Sequence, residues 1–251
     1  MEKKIILGLD VSTHCIGISV VEYVDDKISL IEVTHLRPKI PTKVKGMESL
    51  FLKSSIFKEK IEDYVKFGIT DVVIEEPLVG SNNIETVATL LKFNGMVSQT
   101  VYNVFGVVPE FISSYDARKY GHPELMAIRK FNKKGEPYPI KKIQKAIDNN
   151  ELVLFGSYPF DCEKKLILWN HVSEIFPEIE WMYNSKGELK NENFDASDSM
   201  VCILGYVGKL KYGETEPEIT KNTFIENEDG SATINYTVSF CGKEYEKTIE
   251  L

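Results

Sequence analysis

Apolar and polar positions first alternate and then recur at helical spacing along this chain, in an order that sets out most of its elements. Residues 4–10 hold an apolar run that predicts a buried strand, and residues 17–24 predict a second one after the turn Ser12-Thr13-His14. Asp25-Asp26-Lys27 suits a hairpin turn and residues 28–36 read as a third strand, so the chain opens as an antiparallel meander. A dinucleotide-binding fold would instead open strand–helix–strand. Pro38 and Pro41 mark a loop. Apolar residues at 47, 50, 51, 56, 57, 61, 64 and 65 follow helical spacing, and Gly68 stops that helix. Asp71-Val72-Val73-Ile74-Glu75 predicts a short buried strand closed by Pro77. Residues 84–105 predict a long helix, and 107–113 another strand. The order so far is β-β-β-α-β-α-β.

The second half is less regular. Residues 120–138 show no clean period and read as loop or short helices. Residues 141–149 and 166–176 predict short helices, the latter stopped by Pro177, and 184–193 form a polar loop. Residues 195–210 predict the last helix of the body. Residues 223–227 and 232–240 alternate around Asp229-Gly230, a hairpin signal, and 240–251 adds a third strand through Cys241-Gly242. The expected organisation is one α/β domain over 1–212 and a β appendage over 213–251, with no tandem repeats. At 251 residues the chain is long enough to bury a full core.

Against this pattern, four carboxylates stand out. Asp10 ends the run Ile5-Ile6-Leu7-Gly8-Leu9, Glu75 ends Val72-Val73-Ile74, and Asp195 and Asp198 form an Asp-x-x-Asp pair where the last helix opens. Acids avoid the inner ends of buried strands because burying an unpaired charge is costly. Converging acids offset that cost by holding divalent cations, which prefer hard oxygen ligands. A helix puts Asp195 and Asp198 on one face, one turn apart, and both reach Asp10 if that helix packs beside the first strand. Each acid also has a plainer reading. Asp10 would serve as a turn former, and Asp195 as a helix N-cap. Glu76 competes with Glu75, since neighbours on a strand point to opposite faces.

These residues resemble a known family. The run Ile6-Leu7-Gly8-Leu9-Asp10-Val11-Ser12-Thr13-His14-Cys15-Ile16-Gly17 is similar to the first strand and turn of RuvC-type Holliday junction resolvases. Val73-Ile74-Glu75 resembles their second acidic position, followed by a loop with Asn82-Asn83, a long helix, and a strand like 108–115. Asp195-Ala196-Ser197-Asp198-Ser199 resembles their Asp-Ala-x-Asp-Ala motif. The order holds over residues 4–210. The resemblance implies a ribonuclease H-like mixed sheet flanked by helices, and a homodimeric endonuclease acting on four-way or branched DNA. It implies paired symmetric nicks made with Mg2+ or Mn2+, two ions per site, in DNA recombination, repair or phage genome processing. Asp10, Glu75, Asp195 and Asp198 take the places of the four catalytic, metal-binding acids. Where the family often carries a bulky junction-wedging residue, Leu78 stands here. The stretch 118–165 is longer and more basic than in compact bacterial members, and 213–251 has no counterpart; both features resemble divergent phage-encoded forms.

Charge refines the picture. The net charge is −8, yet residues 213–251 hold 9 acids against 3 bases, while 118–145 holds nine Lys or Arg against Glu124 and Glu136. A basic stretch on a near-neutral body fits phosphate binding. Candidate DNA contacts are Leu78, Asn82, Asn83, Arg118, Lys119, Arg129, Lys130, Lys133, Lys134, Lys141, Lys142, Lys164 and Lys165; solubility alone explains any single lysine. Tyr115, Tyr120 and Tyr138 are stacking candidates, and His14 is a phosphate candidate. His14, His122 and His171 are not placed to form a metal trio. Cys15, Cys162, Cys202 and Cys241 are scattered without a Cys-x-x-Cys pair, which argues against a cysteine zinc site or a disulfide framework and for a reduced cytoplasmic setting. No apolar run of about 18 residues predicts a membrane span, and the N-terminus lacks the features of a signal peptide. Three rivals stay open. One is a ribonuclease H-like nuclease acting on flaps, branched DNA or RNA–DNA hybrids. Another is an actin-like sugar kinase or ATPase, although the second Gly-rich phosphate turn that such proteins need is not visible. The third is a silent DNA-binding module, which gains nothing from four converging negative charges.

Overall fold

A computed structural model of the chain describes residues 3–78, 83–226 and 231–251. Strand β1 (Lys4–Val11) pairs antiparallel with β2 (Ile16–Val24), and β2 with β3 (Lys27–Leu36). After helix α1 (Gly46–Glu62), strand β4 (Asp71–Glu75) returns parallel to β1. Helix α2 (Ile84–Phe105) then leads to β5 (Glu110–Ile112), parallel to β4. The result is a mixed five-stranded sheet in the order β3-β2-β1-β4-β5. The predicted order of elements is therefore the observed one. α1 ends earlier than its apolar pattern predicts: the chain leaves the helix after Glu62, makes a short 3-10 turn at Val65–Phe67, and reverses at Gly68 in the left-handed region (φ 70°).

The strands sort their side chains by parity. In β1, Ile5, Leu7 and Leu9 face α1 and α2, together with Val72 and Ile74 of β4, Phe57 and Phe93. Ile6 of β1 and Val73 of β4 face the opposite layer. That layer comprises α3 (Ser114–Gly121), α5 (Lys164–Ile175) and α6 (Glu192–Tyr212). Both faces of β1 are covered, so each fully buried Ile or Leu contributes about 1.5–3 kcal/mol of transfer free energy. The alternation also settles where the strand-end acids point. Asp10 shares the face of Ile6, and Glu75 shares that of Val73, because side chains two apart lie on one side of a strand.

The irregular stretch contains structure that its pattern does not announce. α3 follows β5 directly, capped by the Ser113 hydroxyl, which accepts from the Asp116 amide at 3.0 Å. Strands β6 (Met126–Ile128) and β7 (Leu152–Leu154) pair across α4 (Ile140–Asp148). Two separated segments, 131–137 and 183–189, build the same turn. In each, the asparagine amide oxygen accepts from two backbone N–H groups at 2.8–3.1 Å, and its NH2 donates to the glutamate four residues on. Gly135 and Gly187 take positive φ in them, 81° and 79°.

The C-terminal strands β8 (Glu218–Glu226), β9 (Ala232–Phe240) and β10 (Lys243–Glu250) form a three-stranded sheet in the order β10-β9-β8. The Asp229-Gly230 turn signal lies outside the described residues. This sheet shares a core with the body: Ile234, Tyr236, Val238 and Ile249 pack against Ile128, Ile143 and Ile147. All four cysteines are free. Among the described residues, no helix is long and apolar enough to cross a membrane.

Candidate active site

The site is built where α6 crosses the C-terminal ends of β1 and β4. β1 and β4 run parallel with Leu9 beside Ile74, so the next residues, Asp10 and Glu75, lie side by side. Their nearness acts on both carboxyls, since Glu75 helps to raise the proton affinity of Asp10. Glu76 is exposed, and its amide instead donates to the Ile112 carbonyl at 2.8 Å. α6 brings the other pair. It begins at Glu192, three residues earlier than predicted, with Asn191 in the cap position, so Asp195 is a residue of the helix and not its cap. The start is tied to the sheet by an ion pair between Arg37 and Glu192.

α6 lies unusually close to the strands, and the reason is in the sequence. A Cβ on Gly17, the β2 partner of Asp10, would stand 1.8 Å from the Asp195 carbonyl oxygen. Only glycine admits the helix at that distance. Beside it, Ser19 and Ser199 share a hydroxyl hydrogen bond of 2.6 Å, and Ser199 also donates to the Ala196 carbonyl at 2.7 Å. These contacts satisfy polar groups that burial would otherwise leave costly. They also fix the first turns of α6, and with them Asp195 and Asp198, over the end of β1.

The electrostatics follow from this crowding. Burial, then Glu75, Asp198 and Asp195, push the Asp10 carboxyl well above the usual carboxylate range. Burial also raises Glu75, against the opposing pull of Arg118 and Lys165. Asp198 is pushed up to about 7, first by burial and next by Glu75. Like charges in a desolvated pocket cannot all ionise together without a counter-charge. Two cations adjoin the cluster. Lys165 of α5 reaches Asp195 at 3.7 Å and Asp198 at 4.0 Å, and Arg118 of α3 lowers the carboxyl affinities of Glu75 and Asp198 for protons. α3 is seated by a second close approach, since a Cβ on Gly205 of α6 would stand 2.5 Å from the Ala117 Cα. Four hard oxygen donors, with the proton affinities of Asp10, Glu75 and Asp198 raised, are a donor set that fits Mg2+ or Mn2+.

The other candidates scatter. Leu78 is 70% exposed beside the segment that contains Asn82, which lies outside the described residues. Asn83 caps α2, its side chain accepting from the Thr86 amide at 3.1 Å. Arg129, Lys133 and Lys164 line one cleft of about 130 Å3 with Phe131, Phe155 and Phe160. Lys130 lies over the Phe131 ring and Lys142 over Tyr138, while Lys134 stands exposed on the first of the twin turns. Lys141 lines a separate hollow against β8, with Phe224 and Glu226.

Two expectations change. Lys119 is no phosphate ligand: its side chain is 4% exposed and its ammonium donates to Glu216 at 2.8 Å and to the Thr215 carbonyl at 3.3 Å. It ties α3 to the segment leading into β8. Tyr120 does the same, donating to the Gly213 and Thr215 carbonyls at 3.1 Å, so it is not open for stacking. The three histidines form no trio, as expected, but two of them meet. His14 is exposed and apart, but His122 and His171 stack with ring centroids 3.6 Å apart, beside Glu124. They are 49 positions apart, and no local pattern joins them.

No known family profile matches the sequence, and no curated protein matches it. Solved structures do resemble the fold. T. thermophilus RuvC in complex with Holliday junction substrate aligns with a TM-score of 0.50 and 11% identity, over 84% of this chain and 96% of that one. A second Thermus thermophilus RuvC structure aligns at 0.47 and 13% identity, over 83% and 96%. The Aquifex aeolicus PPX-GPPA enzyme aligns at 0.32 and 16% identity, over 47% and 39%. The five-stranded mixed sheet between helices is thus the ribonuclease H-like fold that the sequence predicts.

Proposed function

We propose that this protein is a metal-dependent, structure-selective DNA endonuclease that resolves four-way junctions by paired nicks, acting as a homodimer. The observation that carries the reading is the meeting of Asp10, Glu75, Asp195 and Asp198 from three separate elements, faced by Arg118 and Lys165. Asp10, Glu75, Asp195 and Asp198 would hold two Mg2+ or Mn2+ ions, which when bound neutralise the cluster and stabilise charge on a reacting phosphodiester. The chain's own groups do the rest. Close packing at Gly17 sets the acids before substrate arrives, so little reorganisation is left for the reaction. Lys165, 60% exposed at its side chain, is free to move from the acids to an incoming phosphate. Arg129, Lys133 and Lys164, which share one cleft, would give a DNA arm a positive surface. The fold likeness to a RuvC that was bound to a Holliday junction supports a junction over other branched substrates. A reduced cytoplasmic location, in the host cell if phage-encoded, accords with DNA processing and four free cysteines.

The test offers labelled four-way junction, flap, linear duplex and RNA–DNA hybrid, each with Mg2+ and with Ca2+. Symmetric nicking confined to the junction is the expected result. Selective cutting of the hybrid or the flap would move the protein to the alternative nuclease reading. Asp10→Asn is expected to abolish cleavage while junction binding persists in a gel-shift assay.

A further inference from the structure

Outside the acidic cluster, one group of three metal-ligating side chains meets among the described residues: His122 at the end of α3, Glu124 in the turn after it, and His171 on α5. Their ligand atoms all lie within 4.8 Å of one another. His171 is already oriented as a ligand. Its Nε2 lies 2.9 Å from the Gly121 carbonyl, which can only accept, so Nε2 carries the hydrogen and Nδ1 keeps a lone pair. An outer carbonyl partner of this kind is what fixes the tautomer of ligating imidazoles. His122 holds Glu124 directly, Nδ1 to Oε2, at 2.8 Å. That is a hydrogen-bond distance; two donors on one tetrahedral ion with bonds of about 2.0–2.2 Å stand about 3.3–3.6 Å apart, so a bound ion would replace the shared hydrogen and part the pair by well under 1 Å.

We propose that His122, Glu124 and His171 form a second metal site, separate from the four-acid cluster, and that it takes zinc. Two imidazoles and one carboxylate leave a fourth position for water, the pattern of an open zinc site. The donor sets of the two sites differ in kind. Four carboxylates suit hard Mg2+ or Mn2+, whereas imidazole-rich ligation favours the borderline transition ions. Binding must move the stacked rings, which lie only 7° from parallel, because parallel rings cannot both aim in-plane lone pairs at one ion. Glu124, 51% exposed at its side chain, has room to follow.

The placement gives the site a consequence. α3 carries Arg118 and α5 carries Lys165, the two cations that face the acidic cluster. Zinc bridging His122 and His171 fastens those two helices to each other. It also grips the turn whose Glu124 carbonyl accepts from Lys247 of β10 at 2.6 Å, so the C-terminal sheet is tied in as well. The ion would act as a clamp on the layer that positions Arg118 and Lys165.

The experiment uses the full chain, stripped with a chelator and titrated with Zn2+ against a chromophoric zinc indicator. Melting curves and the visible spectrum of the Co2+-loaded protein are recorded alongside. One zinc per chain is expected, with a rise in melting temperature. Glu124→Gln is expected to weaken zinc by at least about tenfold and His171→Ala by about a hundredfold, with loss of the Co2+ band. Asp198→Asn, in the other cluster, should leave zinc binding unchanged. If His171→Ala does not fold, Glu124→Gln at its exposed position carries the test. Absence of zinc binding, binding indifferent to both variants, or binding lost in Asp198→Asn would each overturn the site. Junction cleavage is not the readout, so zinc binding stands or falls apart from the nuclease reading.

Discussion

Asp198→Asn tests the idea that the four-acid cluster is strained without cations. In the unfolded chain an aspartate titrates near pH 4, whereas in the folded protein Asp198 holds its proton up to about 7, chiefly through burial and then Glu75. Between those values the folded state keeps a proton that the unfolded state gives up, so stability falls as pH rises from about 4 to about 7. Each pH unit is worth about 1.4 kcal/mol, and three of them amount to at most about 4 kcal/mol. That is a large part of a typical domain stability of about 5–15 kcal/mol. Asparagine has the shape of the protonated acid and stays neutral throughout. In chelator the variant is therefore expected to exceed the parent by about 1.4 kcal/mol at pH 5 and by up to about 4 kcal/mol at pH 8. Urea denaturation at pH 5, 6, 7 and 8 reads this directly. Asp10 and Glu75 are raised too, so the variant keeps part of the slope. Mg2+ should stabilise the parent at pH 8 and help the variant less. A variant that is equally or less stable than the parent at pH 8 in chelator would refute the reasoning.

Other substitutions probe how the site is held. Gly17→Ala places a Cβ 1.8 Å from the Asp195 carbonyl, so α6 must shift by more than 1 Å; denaturation should show a loss of about 1–3 kcal/mol, and cleavage should fall by at least about tenfold. A Gly17→Ala protein with native activity would show that the close approach of α6 does not matter. Lys119→Met keeps the length of a buried side chain but removes its bonds to Glu216 and the Thr215 carbonyl. It should cost about 1–3 kcal/mol of stability with junction affinity, read by fluorescence anisotropy, unchanged; weakened DNA binding at full stability would restore Lys119 as a phosphate contact. Lys165→Ala should do the reverse, changing stability by less than about 0.5 kcal/mol while lowering both junction affinity and its salt dependence.

The order of the first seven elements, the parity of β1 and β4, and the two strand-end acids were legible in the sequence because each depends on local chemistry. A buried strand shows as an apolar run, and a residue two positions along a strand keeps its face. Once Leu9 is buried against one layer, Asp10 must face the other, and the same holds for Ile74 and Glu75. The helical spacing of Asp195 and Asp198 likewise places them together. Shorter elements escaped. α3 and the β6–β7 pair span eight and three residues, too few for a period to emerge, and what stabilises them is packing on α6 and α4.

Tertiary structure alone decided which charged and polar residues meet. Lys119 belongs to the same basic stretch as Arg118, yet successive residues on a helix point about 100° apart, and one turns to the acids while the other is sealed against Glu216. Gly17 and Asp195 are far apart in the chain, and their contact exists only because α6 crosses β2 at backbone distance. His122 and His171 stack only because α3 and α5 end up side by side on α6. The sequence by itself determined the longer elements, their faces and the four acids, since these follow from neighbours along the chain. The partners of each charge, and the second cluster of ligands, follow from contacts between distant segments, which local patterns do not encode.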